Sequence, residues 1–261
     1  MHDRLSYLIL LLRSRLRVIK KNVMQLMLYL RGKRLKIVDN VSKISYSQEG
    51  EDLLLKRLFE DKINGFYVDV GAHHPYRFSN TCIFYANGWR GINIDPNPEA
   101  MTAFRLLRSS DINVETGVAE RAGTLQYHYF DDAALNSFDT KLVRWRLENT
   151  PYKVIDACVV PVRRLDEILE QHLSVGQHID FLSVDAEGLD LSVLNSNDWS
   201  KYRPTCVLAE SLATVLEDVI ATDLYKLMAS NGYQLFAKTM NTLVFVDAST
   251  KSNLKVKLDA S

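Results

Sequence analysis

Three stretches of the chain place acids and a glycine where a nucleoside could be held and a proton moved. Phe66-Tyr-Val-Asp-Val-Gly-Ala72 is an apolar run with an acid near its end and a glycine at the following turn. Gly91-Ile-Asn-Ile-Asp95 is a second apolar run, closing on an acid 26 residues after Asp69. Ile179–Asp185 is a third, with Glu187 two residues beyond Asp185. In open α/β sheets ligands sit beyond the carboxyl ends of the strands. There Gly71 admits close backbone approach, and Asp95 can accept hydrogen bonds from ribose hydroxyls.

The turn after the first run narrows the choice of cofactor. It reads Gly71-Ala-His-His-Pro-Tyr76, with one glycine where a dinucleotide fold wants three. No GxxxxGK[ST] loop is present either. A cofactor with a ribose but no phosphate fits better, and S-adenosylmethionine (SAM) is the common one. Asp69 complements its cationic amine, and the turn N–H groups complement its carboxylate.

Asp185 and Glu187 could act as a general base, orient an acceptor hydroxyl, or bind a divalent metal that acidifies it. Equally, Asp185 could simply cap the helical stretch that follows. His73 and His74, in the cofactor turn, are further base candidates because imidazole titrates near neutral pH. His128, His172 and His178 read as surface or structural groups. Glu210 closes the run Thr205–Glu210 and could face the same pocket. Ser47 reads as a helix N-cap with acids Glu49, Glu51 and Asp52 around the first turn, although Gly50 stands where a capping box wants Glu or Gln.

The elements that would carry these groups alternate. Apolar runs occupy Phe66–Val70, Gly91–Asp95, Ile112–Val118, Val154–Val162, Ile179–Asp185, Thr205–Glu210, Tyr233–Lys238 and Thr242–Asp247. Helical patterns lie at Glu51–Glu60, Asn80–Asn87, Pro98–Arg108, Leu165–His172, Leu189–Leu194 and Val215–Asn231. Such alternation predicts an α/β fold, a mostly parallel sheet with helices on both faces. The last two runs flank a tight turn at Met240-Asn241 and predict an antiparallel hairpin. Thr124–Phe130 reads as a strand, and 131–153 as an irregular insertion without a clear period. Its aromatic and arginine residues, with those of the preceding strand (Tyr127, Tyr129, Phe138, Arg144, Trp145, Arg146, Tyr152), could form a sugar-binding wall or a plain packed lid.

The chain has 261 residues, 47% hydrophobic and 25% charged, so it has enough apolar sequence to build a core. The 32 basic and 32 acidic residues cancel, which argues against a nucleic-acid binder. Three scattered cysteines without a CxxC pair exclude a zinc ribbon and a disulfide framework, and suit reduced thiols in the cytoplasm. The balance is uneven along the chain: residues 1–36 hold ten Lys or Arg and one acid. Leu5, Ile9, Leu12, Leu16, Ile19, Val23, Leu26 and Leu30 alternate four- and three-residue spacings, which predicts one amphipathic helix. Its longest apolar run, Tyr7 to Leu12, is too short to span a bilayer, and it does not read as a signal peptide. Residues 4–36 could lie on an anionic membrane surface at its inner face, dock a partner or a second copy, or pack on their own domain. Like charges at Arg13, Arg15 and Lys20 weaken homodimeric coiled-coil pairing. The expected organisation is a basic arm at 1–40, a catalytic domain at 41–250 and a tail at 251–261.

Phe66–Ala72, Asn93-Ile-Asp-Pro-Asn-Pro98 and Ile179-Asp-Phe-Leu-Ser-Val-Asp-Ala-Glu-Gly188 together resemble the FkbM family of SAM-dependent methyltransferases, as does Ser47-Gln-Glu-Gly-Glu-Asp52 upstream. The resemblance runs from Ser47 to Asp247. It implies the Rossmann-like class I methyltransferase sheet of seven strands with the last one antiparallel. It implies O-methylation of sugar hydroxyls in glycans, glycolipids or natural products. It places Glu51, Asp69, Gly71, Ala72, His73, Asp95 and Pro96 around SAM, and Asp185, Glu187 and His74 at the acceptor. Most members carry a second glycine after the first strand; here His73-His74-Pro75 stands instead. Two other readings compete: an NAD-dependent oxidoreductase or epimerase, and a methyltransferase-like module that binds at a membrane without catalysis.

Overall fold

The computed structural model describes residues 43–250. The basic arm and the tail therefore lie outside the described residues. Residues 45–250 belong to one compact unit.

The chain enters through α1 (Glu51–Leu58) and continues as β1 (Phe66–Val70), α2 (Cys82–Ala86), β2 (Arg90–Asp95), α3 (Pro98–Leu107) and β3 (Ile112–Glu115). A short β4 (Gly117–Val118) leads into β5 (Gly123–Phe130), α4 (Thr140–Asn149) and β6 (Val154–Arg163). Then follow α5 (Leu165–His172), β7 (Phe181–Val184), α6 (Asp190–Asn195), β8 (Cys206–Glu210), α7 (Leu216–Val219), α8 (Asp223–Ser230), β9 (Tyr233–Lys238) and β10 (Thr242–Asp247). Seven strands make the main sheet in the order β3-β2-β1-β7-β8-β10-β9. All pairs are parallel except those of β10, which runs antiparallel to both β8 and β9. This is the class I methyltransferase arrangement.

Period-two alternation in β1 explains the three layers. Val68 and Val70 face one core with Ile92, Leu182, Val207, α5 and α8, while Tyr67 faces another with Phe84, Trp89, Phe181 and α1. Burying a side chain such as Phe181 contributes about 1.5–3 kcal/mol. The order of connection reverses between β1 and β7, so a crevice opens at their carboxyl ends.

Five expectations need correction. The run Val154–Val162 does not join the main sheet; with β4 and β5 it forms a separate sheet in the order β4-β6-β5. The run Ile112–Val118 divides at Thr116, its second half crossing to that small sheet. The insertion 131–153 contains α4, capped by the Asp139 side chain, which accepts from Lys141 N and Leu142 N. The pattern Val215–Asn231 is two helices, α8 being started afresh by the Thr222 hydroxyl accepting from Tyr225 N. At α1 the N-cap position falls on Gly50, with Ser47 Oγ accepting from Gly50 N and donating to Asp52 instead.

Candidate active site

The crevice is built where the turns after β1 and β7 touch. Gly71 adopts φ +77°, and a Cβ there would lie 1.7 Å from the Asp185 carbonyl oxygen. Gly71 N and Ala72 N both donate to Ile94 O, which draws the end of β2 into the same corner. His73 follows in the left-handed region at φ 52° and donates its N–H to Asp95 Oδ2 at 2.9 Å. Asn97 N donates to the other carboxylate oxygen at 2.8 Å. Asp95 is thus fixed by two backbone N–H groups, one per oxygen, and each oxygen keeps a free lone pair. Burial outweighs these bonds and lifts its pKa to about 6.

Asp69 sits deeper. Thr81 Oγ1 donates to it at 2.8 Å and itself receives Arg108 Nη1 at 2.7 Å. Arg108, almost fully buried, also bonds Ser79 Oγ and Pro75 O, pinning the segment after the cofactor turn. Burial raises the Asp69 pKa above the usual carboxylate range.

The cleft thus has a polar floor of Asp69, Gly71, Ala72, His73 and Asp95, with Pro96 beside them. Ile94, Val118, Tyr127 and Phe138 give it an apolar wall, and Asp185 and Glu187 close its far end. His73 Nε2 is buried in the turn with no partner among the described residues. The donor set suits a ribose on Asp95, a flat apolar ring on the wall and a cationic amine near Asp69. SAM fits these residues.

A second hollow of about 420 Å³ adjoins the first. The two share Gln48, Phe78, Asn80, Ala134, Asp185 and Glu187 as a common wall. Asp185 is open to solvent in the cleft yet surrounded by protein and by the carboxylates of Glu187, Glu210 and Asp190, so its pKa is raised well above normal. Glu187, at φ 49°, is ion-paired to Arg146 Nη2 from α4. Burial raises its pKa and the guanidinium opposes the rise. Glu210 joins the second hollow with its pKa lifted to about 8 by burial and by Glu187 and Asp190.

Of the residues expected at the site, two lie elsewhere. Glu51 lines the second hollow and not the cofactor cleft; its carboxylate accepts from Glu49 N and Thr242 Oγ1, strapping α1 to β10. His74 lines neither hollow, because its Nδ1 accepts from Tyr76 N and Arg77 N and so shapes the turn. Asp185 caps no helix, since α6 starts from Leu189 without a side-chain cap. No group of three metal-ligating side chains occurs among the described residues, and Glu187 is committed to Arg146. The donor set does not fit a divalent metal. Of the insertion aromatics, Tyr127 and Phe138 wall the cleft and Tyr152 the second hollow, while Trp145 points to solvent. Gln48, from the upstream segment that carries the family resemblance, lines the cleft, as do Asn80, Thr116 and Asn136, which neither chemistry nor spacing had singled out.

The profile of the methyltransferase FkbM domain matches residues 69–235. The chain belongs to the FkbM methyltransferase family. Membership implies SAM as the methyl donor and sets aside the oxidoreductase reading. No curated protein matches significantly. Among solved structures the chain is similar to precorrin-6Y C5,15-methyltransferase from Geobacter metallireducens GS-15, at 10% identity and TM-score 0.37 over 75% of this chain and 86% of that one. It is also similar to the C-terminal domain of precorrin-6Y C5,15-methyltransferase from Rhodobacter capsulatus, at 13% identity and TM-score 0.37 over 80% and 91%. No helix among the described residues is long and apolar enough to cross a membrane.

Proposed function

We propose that this FkbM-family chain is a SAM-dependent O-methyltransferase acting on a sugar hydroxyl of a glycan, glycolipid or natural product. The observation that carries the reading is the common wall: Asp185 and Glu187 stand where the cofactor cleft meets a second, polar hollow. Bound SAM supplies an electrophilic methyl group on a sulfonium, open to displacement by an oxygen nucleophile.

The chain's own residues do the rest. Asp95 receives the ribose hydroxyls, and Asp69 faces the amine. Asp185, whose carboxylate has no hydrogen-bond partner among the described residues, accepts the acceptor's hydroxyl proton as its oxygen becomes an ether. Proton transfer of this kind contributes about 10²–10⁴-fold. Glu187, fixed by Arg146, orients the hydroxyl. Positioning between two adjoining hollows supplies a further share of the rate. The basic amphipathic pattern of residues 4–36 supports placement of the enzyme at an anionic membrane surface.

Calorimetric titration with SAM, with Asp95→Ala and NAD as controls, tests the cofactor. Binding that the substitution weakens and NAD does not reproduce is the expected result. Methyl transfer from labelled SAM into surface-carbohydrate fractions then tests the acceptor class, and Asp185→Asn is expected to bind SAM but lose turnover. A folded chain that binds no SAM refutes the reading.

A further inference from the structure

The second hollow is unusual in its charge. Six carboxylates line it (Glu49, Glu51, Asp132, Asp185, Glu187, Glu210) against two arginines. Neither arginine is available to an incoming anion. Arg77 lays both Nη atoms on the two oxygens of Asp132, at 3.1 and 3.0 Å. Arg146 is held by Glu187 and donates to Leu135 O at 2.7 Å. The carboxylates left over divide into two kinds. Glu49 and Glu51 accept from Asn241 N and Thr242 Oγ1 and tie the β9–β10 turn to α1. Asp185 and Glu210 accept no hydrogen bond among the described residues, yet both face the hollow. Tyr152, 40% exposed, adds an aromatic face to the same wall.

A cavity with spent arginines and unpaired carboxylates discriminates by charge. It offers a uronate or phosphate ester no cation, because both arginines are already paired within the protein. It accepts a neutral polyol. It favours most a polyol that carries an ammonium, whose charge draws the Glu210 pKa down from about 8 so that the carboxylate ionises as it receives the cation, while the aromatic face receives the ring.

We propose that the acceptor is an amine-bearing sugar, its ammonium held by Glu210 and its hydroxyl presented to Asp185. This inference rests on the methyltransferase reading of the same site. The Glu210 carboxylate receives the cation, and Asp185, at the common wall, remains free for the proton. The sugar's ring and amine therefore lie on the β8 side of the hollow and its reacting hydroxyl on the β7 side.

Calorimetry with three probes at neutral pH tests the proposal: a glucosamine tetramer, its N-acetylated counterpart and a galacturonate tetramer. One charge-assisted contact predicts that the glucosamine tetramer binds about tenfold or more tighter than the N-acetylated one. Glu210→Gln is expected to remove that preference and to leave SAM affinity unchanged. Equal or tighter binding of the N-acetylated tetramer overturns the proposal, as does preference for galacturonate, an unaltered preference in Glu210→Gln, or no binding of any probe. SAM is titrated in the same samples to separate the two levels. SAM binding without amine preference sinks this inference alone; amine preference without SAM binding sinks the methyltransferase reading of the site.

Discussion

Gly71→Ala tests the corner on which the whole site is assembled. The new methyl group would sit 1.7 Å from the Asp185 carbonyl oxygen, about half a van der Waals separation, and the partner is backbone that cannot rotate away. The residue is also at φ +77°, where a Cβ costs about 1–2 kcal/mol. Overpacking of this kind adds about 1–3 kcal/mol. The sum, about 2–5 kcal/mol, converts at about 2–4 °C per kcal/mol to a Tm lower by about 4–20 °C. The strain is relieved by parting the β1 and β7 turns, which displaces Asp185 and Glu187, and a displacement of about 1 Å can cost roughly 10²-fold in rate. Gly88→Ala is the control. Gly88 has φ +94° but open space around its missing Cβ, so it carries the conformational cost without the collision. Thermal unfolding and SAM calorimetry on both variants separate the two contributions. Gly71→Ala melting with Gly88→Ala and binding SAM like the parent chain would refute the packed-corner argument.

Other outcomes follow from the same geometry. Asp95→Asn removes a carboxylate that accepts from His73 N and Asn97 N, and is expected to weaken SAM about ten- to hundredfold by calorimetry while the chain stays folded; unchanged affinity would detach Asp95 from the ribose. Asp95, Asp190 and Glu210 have pKa values raised to about 6, 7 and 8 from ordinary values of 3.8, 3.8 and 4.5. They hold protons more tightly folded than unfolded, so the stability they lend is full below about pH 4 and lost as pH rises through 6 to 8. The Tm of the ligand-free chain should therefore fall between about pH 5 and pH 8 and fall less in Asp190→Asn, whereas a flat or rising profile contradicts the burial of these acids. Arg146→Met leaves Glu187 facing Asp185 and Glu210 without its guanidinium. The expected loss is about 3 kcal/mol, read as a lower urea midpoint, and an unmoved midpoint would show the ion pair to be dispensable.

Much of this site is legible in the sequence because parallel strands buried on both faces write their positions as continuous apolar runs. Tyr67 and Val68 are both fully buried although they face opposite layers, so β1 shows no gap, and the acid near its end, Asp69, stands out. The misreadings share one cause, a partner distant in sequence or a polar residue in an inward position. α4 turns Val143 and Arg146 inward, so its buried face carries a charge that hides the helical period. Glu51 meets Thr242 across 191 residues, which no local pattern reports. β6 reads as a core strand because it is rich in valine and isoleucine, yet Ile155 and Val159 are each 68% exposed on the small sheet. His74 resembled a base but is occupied by two N–H groups of its own turn.

Backbone strain and charge repulsion coincide at one place, and together they argue for a ligand that closes the site. Three non-glycine residues among those described adopt positive φ, His73, Phe78 and Glu187, and all three line the cofactor cleft. Each such conformation costs of order 1–3 kcal/mol and persists only when its surroundings impose it. Here the surroundings are visible: Asp95 accepts the His73 N–H, Ser137 Oγ donates to Glu187 O at 2.7 Å, and Arg77 lies over the Phe78 ring at 4.6 Å. The same cleft gathers Asp69, Asp95, Asp185 and Glu187, whose raised pKa values record unfavourable burial of negative charge. A cationic ligand removes the electrostatic part of that cost without touching the strained backbone. Binding at a hundredfold above Kd adds about 2.7 kcal/mol to the folded state. The Tm gained with SAM should therefore be larger at pH 8, where Asp95, its pKa lifted to about 6, is ionised, than at pH 5, where a proton already neutralises it.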